Sequence, residues 1–288
     1  MTSFLQEYQR QPKLFIDLPS KGKWYDESII EGNQFVQIPV FGMNAMDEIL
    51  FKTPDALFSG DATAEVIKSC IPTIKDPWRL VGYDIDYVLI AIRIATYGES
   101  MDTTTMCPHC SATHEHQVNL TRVLDNFTNY TTDFSFELNG FTFHLSPITY
   151  RSQTDFSIEN FTNERTLLQI ARDQNLSDDD KNKQSQGCYN TGADINIRLA
   201  ISYISEVTRG DQKETDLNAI TEFVKSNDVE FFDQLKKKIQ ELVLKWNLPA
   251  LDAVCGAEDC GKEYRAALDV DYANFFGTKF LHSRNLIS

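Results

Sequence analysis

The cysteine grouping constrains this chain more than any other feature. Six cysteines are present. Four form two close pairs, Cys107 with Cys110 and Cys255 with Cys260, while Cys70 and Cys188 stand alone. The first pair opens the run Cys107-Pro108-His109-Cys110-Ser111-Ala112-Thr113-His114-Glu115-His116-Gln117-Val118. The second opens Cys255-Gly256-Ala257-Glu258-Asp259-Cys260-Gly261-Lys262-Glu263-Tyr264-Arg265-Ala266-Ala267-Leu268. Registered on Cys110 and Cys260, the tails align without a gap. Ser111 meets Gly261, His114 meets Tyr264 and Val118 meets Leu268. Both tails alternate as strands.

A tight turn carrying two thiolates, then a small residue, then a strand, is one half of a zinc ribbon. Two halves supply the four soft ligands that tetrahedral Zn²⁺ prefers, and both spacings suit it. The metal site expected from the sequence is therefore Cys107, Cys110, Cys255 and Cys260, with His109 or His114 in place of a cysteine as the variant. Four thiolates around one Zn²⁺ carry a net charge of −2, which backbone N–H groups of the turns, Lys262 and Arg265 would offset. Such a site has no open position for a substrate, so the metal is expected to be structural. It would join chain segments with 144 residues between Cys110 and Cys255.

Two other readings use the same residues. Cys107-Pro108-His109-Cys110 is also the pattern of thiol–disulfide oxidoreductases, in which the first cysteine must begin a helix whose dipole lowers its pKa. Here an alternating strand follows. Gly256 to Lys262 approximates a phosphate loop, but Glu263 stands where a Mg²⁺-binding hydroxyl is needed and no helix is expected after it. Metalloprotease and nucleophile-elbow motifs are absent. Cys70, inside a helical pattern, reads as a buried inert thiol, and Cys188 as incidental.

The charge balance narrows the partners. Asp plus Glu number 42 against 27 Lys plus Arg, a net charge of −15. That opposes wholesale nucleic-acid binding, which needs a basic face. The most apolar stretch, Tyr87 to Ile92, is interrupted by Arg93, whereas a membrane span needs about 20 apolar residues. The N-terminal run shows no apolar signal core, so a cytosolic place of synthesis is expected. In such a setting the cysteines do not read as a disulfide scaffold.

Along the chain, Leu14–Leu18 and Phe35–Val40 read as paired strands around the turn Pro19-Ser20-Lys21-Gly22-Lys23. Trp24 and Tyr25 read as an aromatic lid on the core. Met46, Ile49 and Leu50 mark one side of a helix, Asp61 could cap a second, and Asp84–Tyr97 form a third, ended by Gly98. Asn139-Gly140 between Phe134–Leu138 and Phe141–Leu145 is a type I′ hairpin signal. Helical patterns follow Tyr150, including Val229, Phe232, Leu235, Ile239, Leu242 and Trp246 on one face. Ser177 to Gly192 is polar and reads as an exposed loop.

The fold class expected is α+β. A mixed region of short strands and helices spans 1–106, and a split zinc ribbon takes 107–121 and 251–276. A hairpin plus a mostly helical insertion spans 122–250, and a tail spans 277–288.

Several runs resemble one known family. They are Leu18-Pro19-Ser20-Lys21-Gly22-Lys23-Trp24-Tyr25, Phe35 to Val40 and Met43-Asn44-Ala45-Met46-Asp47-Glu48-Ile49-Leu50. Pro54-Asp55-Ala56-Leu57-Phe58-Ser59-Gly60, Ile67-Lys68-Ser69-Cys70-Ile71-Pro72, Ala95-Thr96-Tyr97-Gly98, the cysteine turns and Asp271 to Phe276 continue them. The chain is similar here to the T-even-type baseplate hub subunits and hub assembly proteins of contractile-tail bacteriophages, over most of its length outside roughly 122–250. The resemblance implies a non-enzymatic protein of the virion tail baseplate, assembled in the host cytoplasm. It would bind other baseplate and tail proteins and take no small-molecule substrate. It covers both retained parts and assembly factors. The insertion is where this chain is expected to differ from shorter relatives.

Overall fold

A computed structural model describes residues 10–53, 58–127, 134–246 and 251–266. The expectations for 54–57, for 267–276 with its register partner Leu268, and for the tail 277–288 lie outside these residues. The fold is α+β. The chain divides into two compact units, Met1–Tyr130 with Leu248–Ser288, and Thr131–Asn247.

In the first unit, strands β1 (Pro12–Ile16) and β2 (Ile38–Phe41) pair antiparallel, with Phe15 opposite Pro39 and Ile16 opposite Ile38. The turn between them needs Gly22. Its φ is +76°, and a Cβ there would lie 2.4 Å from the Phe35 ring. Helices α1 (Ala45–Phe51), α2 (Asp61–Cys70) and α3 (Gly82–Tyr97) follow. Val88 to Ile92 of α3 are fully buried, so this helix is the unit's core, and β1, β2, α2 and α4 (Leu120–Phe127) pack on it. Gly98, at φ +91°, ends it.

The first helix is rotated from the sequence expectation, with Leu50 of the expected apolar side half-buried. Met46 and Ile49 are exposed, whereas Asp47 and Phe51 are buried. The reason is a capping box. Asn44 accepts from the N–H of Asp47, and the Asp47 carboxylate accepts from the N–H of Asn44 at 2.8 Å. Ser69 Oγ also donates to that carboxylate at 3.0 Å, so the polar anchor outweighs the apolar stripe. Asp61 is the first residue of α2, and Gly60 holds the cap position.

Trp24 and Tyr25 close over the core. Trp24 meets Tyr83 edge-on at 6.2 Å. The Tyr25 hydroxyl donates to Asp84 Oδ2 at 2.6 Å and accepts from Val81 N–H at 3.0 Å. Asp84 is fully buried, and that burial pushes its carboxyl up to about 6, against the bonds from Ser20 and Tyr25. The folded unit therefore favours protonated Asp84. The corresponding stability is fully present below about pH 4 and is lost as pH rises through about 6. The pH dependence of the urea midpoint should be flatter between pH 4 and 7 in Asp84→Asn than in the natural chain. The difference corresponds to roughly 3 kcal/mol on going from 3.8 to about 6. Parallel curves would contradict this account of Asp84.

The second unit is built on a four-stranded antiparallel sheet whose spatial order follows the chain: residues 134–138, 141–145, 204–209 and 212–214. Strands β5 (Phe134–Leu138) and β6 (Phe141–Leu145) are joined by Asn139-Gly140, both at positive φ, as the I′ signal requires. Strands β7 (Ile204–Arg209) and β8 (Gln212–Glu214) were not expected from sequence. Their signal is Gly210-Asp211, a second two-residue turn, with Gly210 at φ +59°.

Helices α5 (Tyr150–Arg172) and α6 (Asp178–Ser202) form an antiparallel pair, and α7 (Leu217–Ser226) and α8 (Val229–Val243) complete the unit. Phe143 is the centre of its aromatic core, 5.3 Å from Phe136 and 6.3 Å from Phe231. On α8 the buried residues are Phe231, Leu235 and Ile239, while Val229 at its first turn is exposed.

Residues 178–192 are helix, not the loop expected from their polarity. Ser177 caps the helix by accepting from Asp180 N–H, and Asp178, Asp179 and Asp180 complement the dipole in the first turn. Most of this helix has little to bury, so apolar periodicity could not reveal it. Gly192 lets α5 approach, since a Cβ there would lie 3.3 Å from Asn163 Nδ2. Arg198 then ties the pair, contacting Glu159 at 2.6 Å and Asp194 at 2.8 Å. No helix among the described residues is long and apolar enough to cross a membrane.

Candidate metal centre

Two hairpins of the first unit carry the paired cysteines. Strands β3 (Ser100–Met106) and β4 (Thr113–Asn119) pair in continuous register from Ser100 opposite Asn119 to Met106 opposite Thr113. Strands β9 (Leu251–Val254) and β10 (Glu263–Ala266) pair with Val254 opposite Glu263. In both hairpins the cysteines occupy the turn. The Cys107 N–H donates to Ala112 O at 2.9 Å, and the Cys255 N–H donates to Lys262 O at 2.9 Å. These bonds close turns of different length on the same plan.

The residue after the second cysteine has a definite conformational task. Ser111 sits at φ +60° and Gly261 at φ +56°. Glycine adopts this left-handed geometry freely, whereas serine accepts a cost of roughly 1–2 kcal/mol. The coincidence of small residues at this register position is thus a backbone requirement of the turn.

The turns bring all four sulfurs together. Cys107, Cys110, Cys255 and Cys260 place their Sγ atoms within 4.8 Å of one another. Cys107 and Cys260 are 3.9 Å apart, and Cys110 and Cys255 are 3.5 Å apart. Disulfides need about 2.05 Å, so these are separate thiols. A Zn²⁺ with bonds of about 2.3 Å to four tetrahedral sulfurs requires S···S edges of about 3.8 Å. The two close contacts bracket that value. The four-sulfur arrangement is compatible with metal binding.

The surroundings favour thiolates unequally. Burial opposes ionisation of Cys107, but the backbone N–H groups of His109 and Cys110 prevail and bring it down to about 7. The backbone N–H of Ala257 serves Cys255 likewise. Burial and the neighbouring Cys110, Cys260 and Cys107 nevertheless push that thiol up to about 12. Four thiols so close repel one another once ionised, unless a cation compensates them. Cys107 and Cys255 are buried, with Ala253, Tyr264 and Ala266 in a small core, while Cys110 is exposed.

The expected charge partners behave differently. Arg265 pairs with Asp252 at 3.6 Å on the exposed surface, and Lys262 contributes its carbonyl to the turn. His109 is exposed. His114, the other variant ligand, sits beside the sulfurs, with Nε2 3.1 Å from Cys255 Sγ. Three residues were not foreseen as partners of one another. The Tyr264 hydroxyl meets Thr105 Oγ1 at 2.7 Å and His116 Nε2 at 3.2 Å. The alternation of β4 was the available signal, while the register that sets Thr105 opposite His114 emerges only from the pairing with the mostly polar β3.

Cys70 and Cys188 do not join the four. Burial, with the Asp47 carboxylate nearby, pushes Cys70 up to about 12. Cys188 is buried within α6, and its carbonyl accepts from Asn163 Nδ2 at 3.0 Å. Cys107 follows β3 and enters a turn that leads to β4, so it lacks the helix N-terminus that would activate a redox cysteine.

The chain matches the sequence model of the family described as T4 bacteriophage base plate protein over residues 42–277. The matched range contains both cysteine turns and runs through residues 131–247, while the Leu18–Tyr25 run precedes it. No curated protein and no solved structure gives a significant match. A match of this extent shows the family: the chain belongs to the T4 bacteriophage base plate proteins.

Proposed function

We propose that this protein is a non-enzymatic structural component of the baseplate hub of a contractile-tail phage. It acts through contacts with other baseplate and tail proteins, and one structural zinc on Cys107, Cys110, Cys255 and Cys260 holds it together. The carrying observation is the convergence of four sulfurs within 4.8 Å in a chain of the baseplate family. Soft thiolates with this spacing suit Zn²⁺, and four of them complete its tetrahedron. The metal would clasp the two hairpins of the split ribbon, β3–β4 and β9–β10, to one another. Its residence would be the virion tail, after assembly in the host cytoplasm. The charge of −15 weighs against a nucleic-acid partner. The strand context of Cys107 weighs against a thiol–disulfide oxidoreductase.

Mass spectrometry of purified tails and of assembly intermediates tests the placement. The protein is expected in both. Presence in intermediates alone would make it an assembly factor, and absence from both would contradict the placement.

A further inference from the structure

Among the described residues, His114 brings a polar side chain to the four sulfurs. Its Nε2 lies 3.1 Å from Cys255 Sγ, within reach of an N–H to sulfur hydrogen bond. Three features fix the ring there. Strand alternation puts His114 and His116 on one face of β4, with Thr105 directly opposite His114 on β3. His116 and Thr105 both hold the Tyr264 hydroxyl, so this face of the first hairpin is pinned to the second. The His114 ring also packs over the second cysteine turn, where a Cβ on Gly256 would meet Nδ1 at 3.7 Å.

The two hairpins are not used alike. His114 and Tyr264 occupy equivalent register positions after their cysteine turns, and each reaches across to the other hairpin. Tyr264 meets Thr105 and His116, whereas His114 meets a metal-site sulfur. Cys255 faces the other three cysteines and has a backbone donor from Ala257. A further donor at this sulfur disperses charge where the sulfurs crowd.

We propose that His114 donates its Nε2 hydrogen to the Cys255 thiolate and acts as a positioning residue of the metal centre, not as a ligand. It orients Cys255 across the junction of the two hairpins and offsets part of the −2 charge of a four-thiolate zinc site. This inference rests on the zinc reading of the four cysteines. The sulfurs alone fill the coordination sphere, which leaves the imidazole outside it.

Chelator competition on the full-length protein, together with absorption spectra of its Co²⁺-substituted form, tests this. His114→Phe keeps the ring volume and removes the donor, while His114→Gln keeps a donor. The Phe variant should still take one zinc but hold it about 10–100-fold more weakly, and the Gln variant should recover most of that loss. The sulfur-to-Co²⁺ charge-transfer band should keep four-sulfur intensity in all three proteins and shift in position only in the Phe variant. Equal zinc affinity in all three would overturn the proposal. So would a natural-protein spectrum of three sulfurs and one nitrogen, which would make His114 a ligand. If the Phe variant fails to fold, the Gln variant decides: affinity near that of the natural protein supports the donor role, and its loss as well contradicts it. A natural chain that takes up no metal would refute the underlying zinc reading before any variant is made.

Discussion

Replacing Cys255 with serine should abolish stoichiometric zinc and loosen the junction between residues 100–119 and 251–266. Structural zinc contributes on the order of 10 kcal/mol in small domains, so losing one of four ligands is expected to outweigh any ordinary core substitution. The sulfur is buried and 3.5 Å from Cys110, and the serine hydroxyl is a far harder and less acidic donor. Amide hydrogen exchange should rise sharply in β3, β4, β9 and β10. It should change little in residues 134–246, whose core is their own. Cys70→Ser is the control, because Cys70 lies outside the four-sulfur group. It should leave zinc content intact. Equal metal content in Cys255→Ser and the natural chain would contradict the site.

The second large effect belongs to the other unit. Phe143→Ala should destabilise residues 134–246 by about 3–5 kcal/mol, as expected for a large aromatic removed from a closed core. Phe143 is 0% exposed and sits between the Phe136 and Phe231 rings. Collapse of the sheet onto α8 can relieve only part of the cavity, because Phe223 already packs edge-on against Phe231 at 5.6 Å. Denaturant unfolding followed by fluorescence, with Trp24→Phe and Trp78→Phe in both proteins so that Trp246 is the one indole, reads this, since Trp246 packs on Phe134 at 4.9 Å. Zinc content should be unchanged. A loss below about 1 kcal/mol would mean that Phe143 does not anchor this core.

These two sites differ in how legible they were. The four cysteines could be grouped from sequence because the turn has a chemical signature and a fixed register, including the small residue that takes positive φ. The strands leading into the turns could not. Ser100–Met106 is mostly polar, and of its paired partners in β4 only Val118 is buried, opposite buried Met101, so alternation gave little contrast. Leu251–Val254 is too short to carry a period. Polarity misled in the same way at residues 178–192, where capping and charge, not burial, sustain the helix.

Long-range pairing was the other obstacle. The face carrying His114 and His116 follows from alternation, but the nearness of one ring to Cys255 and of the other to Tyr264 depends on how two hairpins from distant sequence meet. The rotated burial of α1 has a local cause that sequence does contain. Asn44 and Asp47 form a capping box, and that pattern competes with the apolar stripe of Met46 and Ile49. The strands β7 and β8 carry one local signal, the two-residue turn Gly210-Asp211, because β8 is wholly polar and exposed and β7 does not alternate.

The central claim is that four cysteines from two distant turns close on one metal ion. Zinc quantification with X-ray absorption on the full-length protein, purified without chelators, tests it most directly. The account predicts one zinc per chain with four sulfur neighbours at about 2.3 Å. A folded, metal-free chain, or a metal held by fewer than three sulfurs, would contradict it.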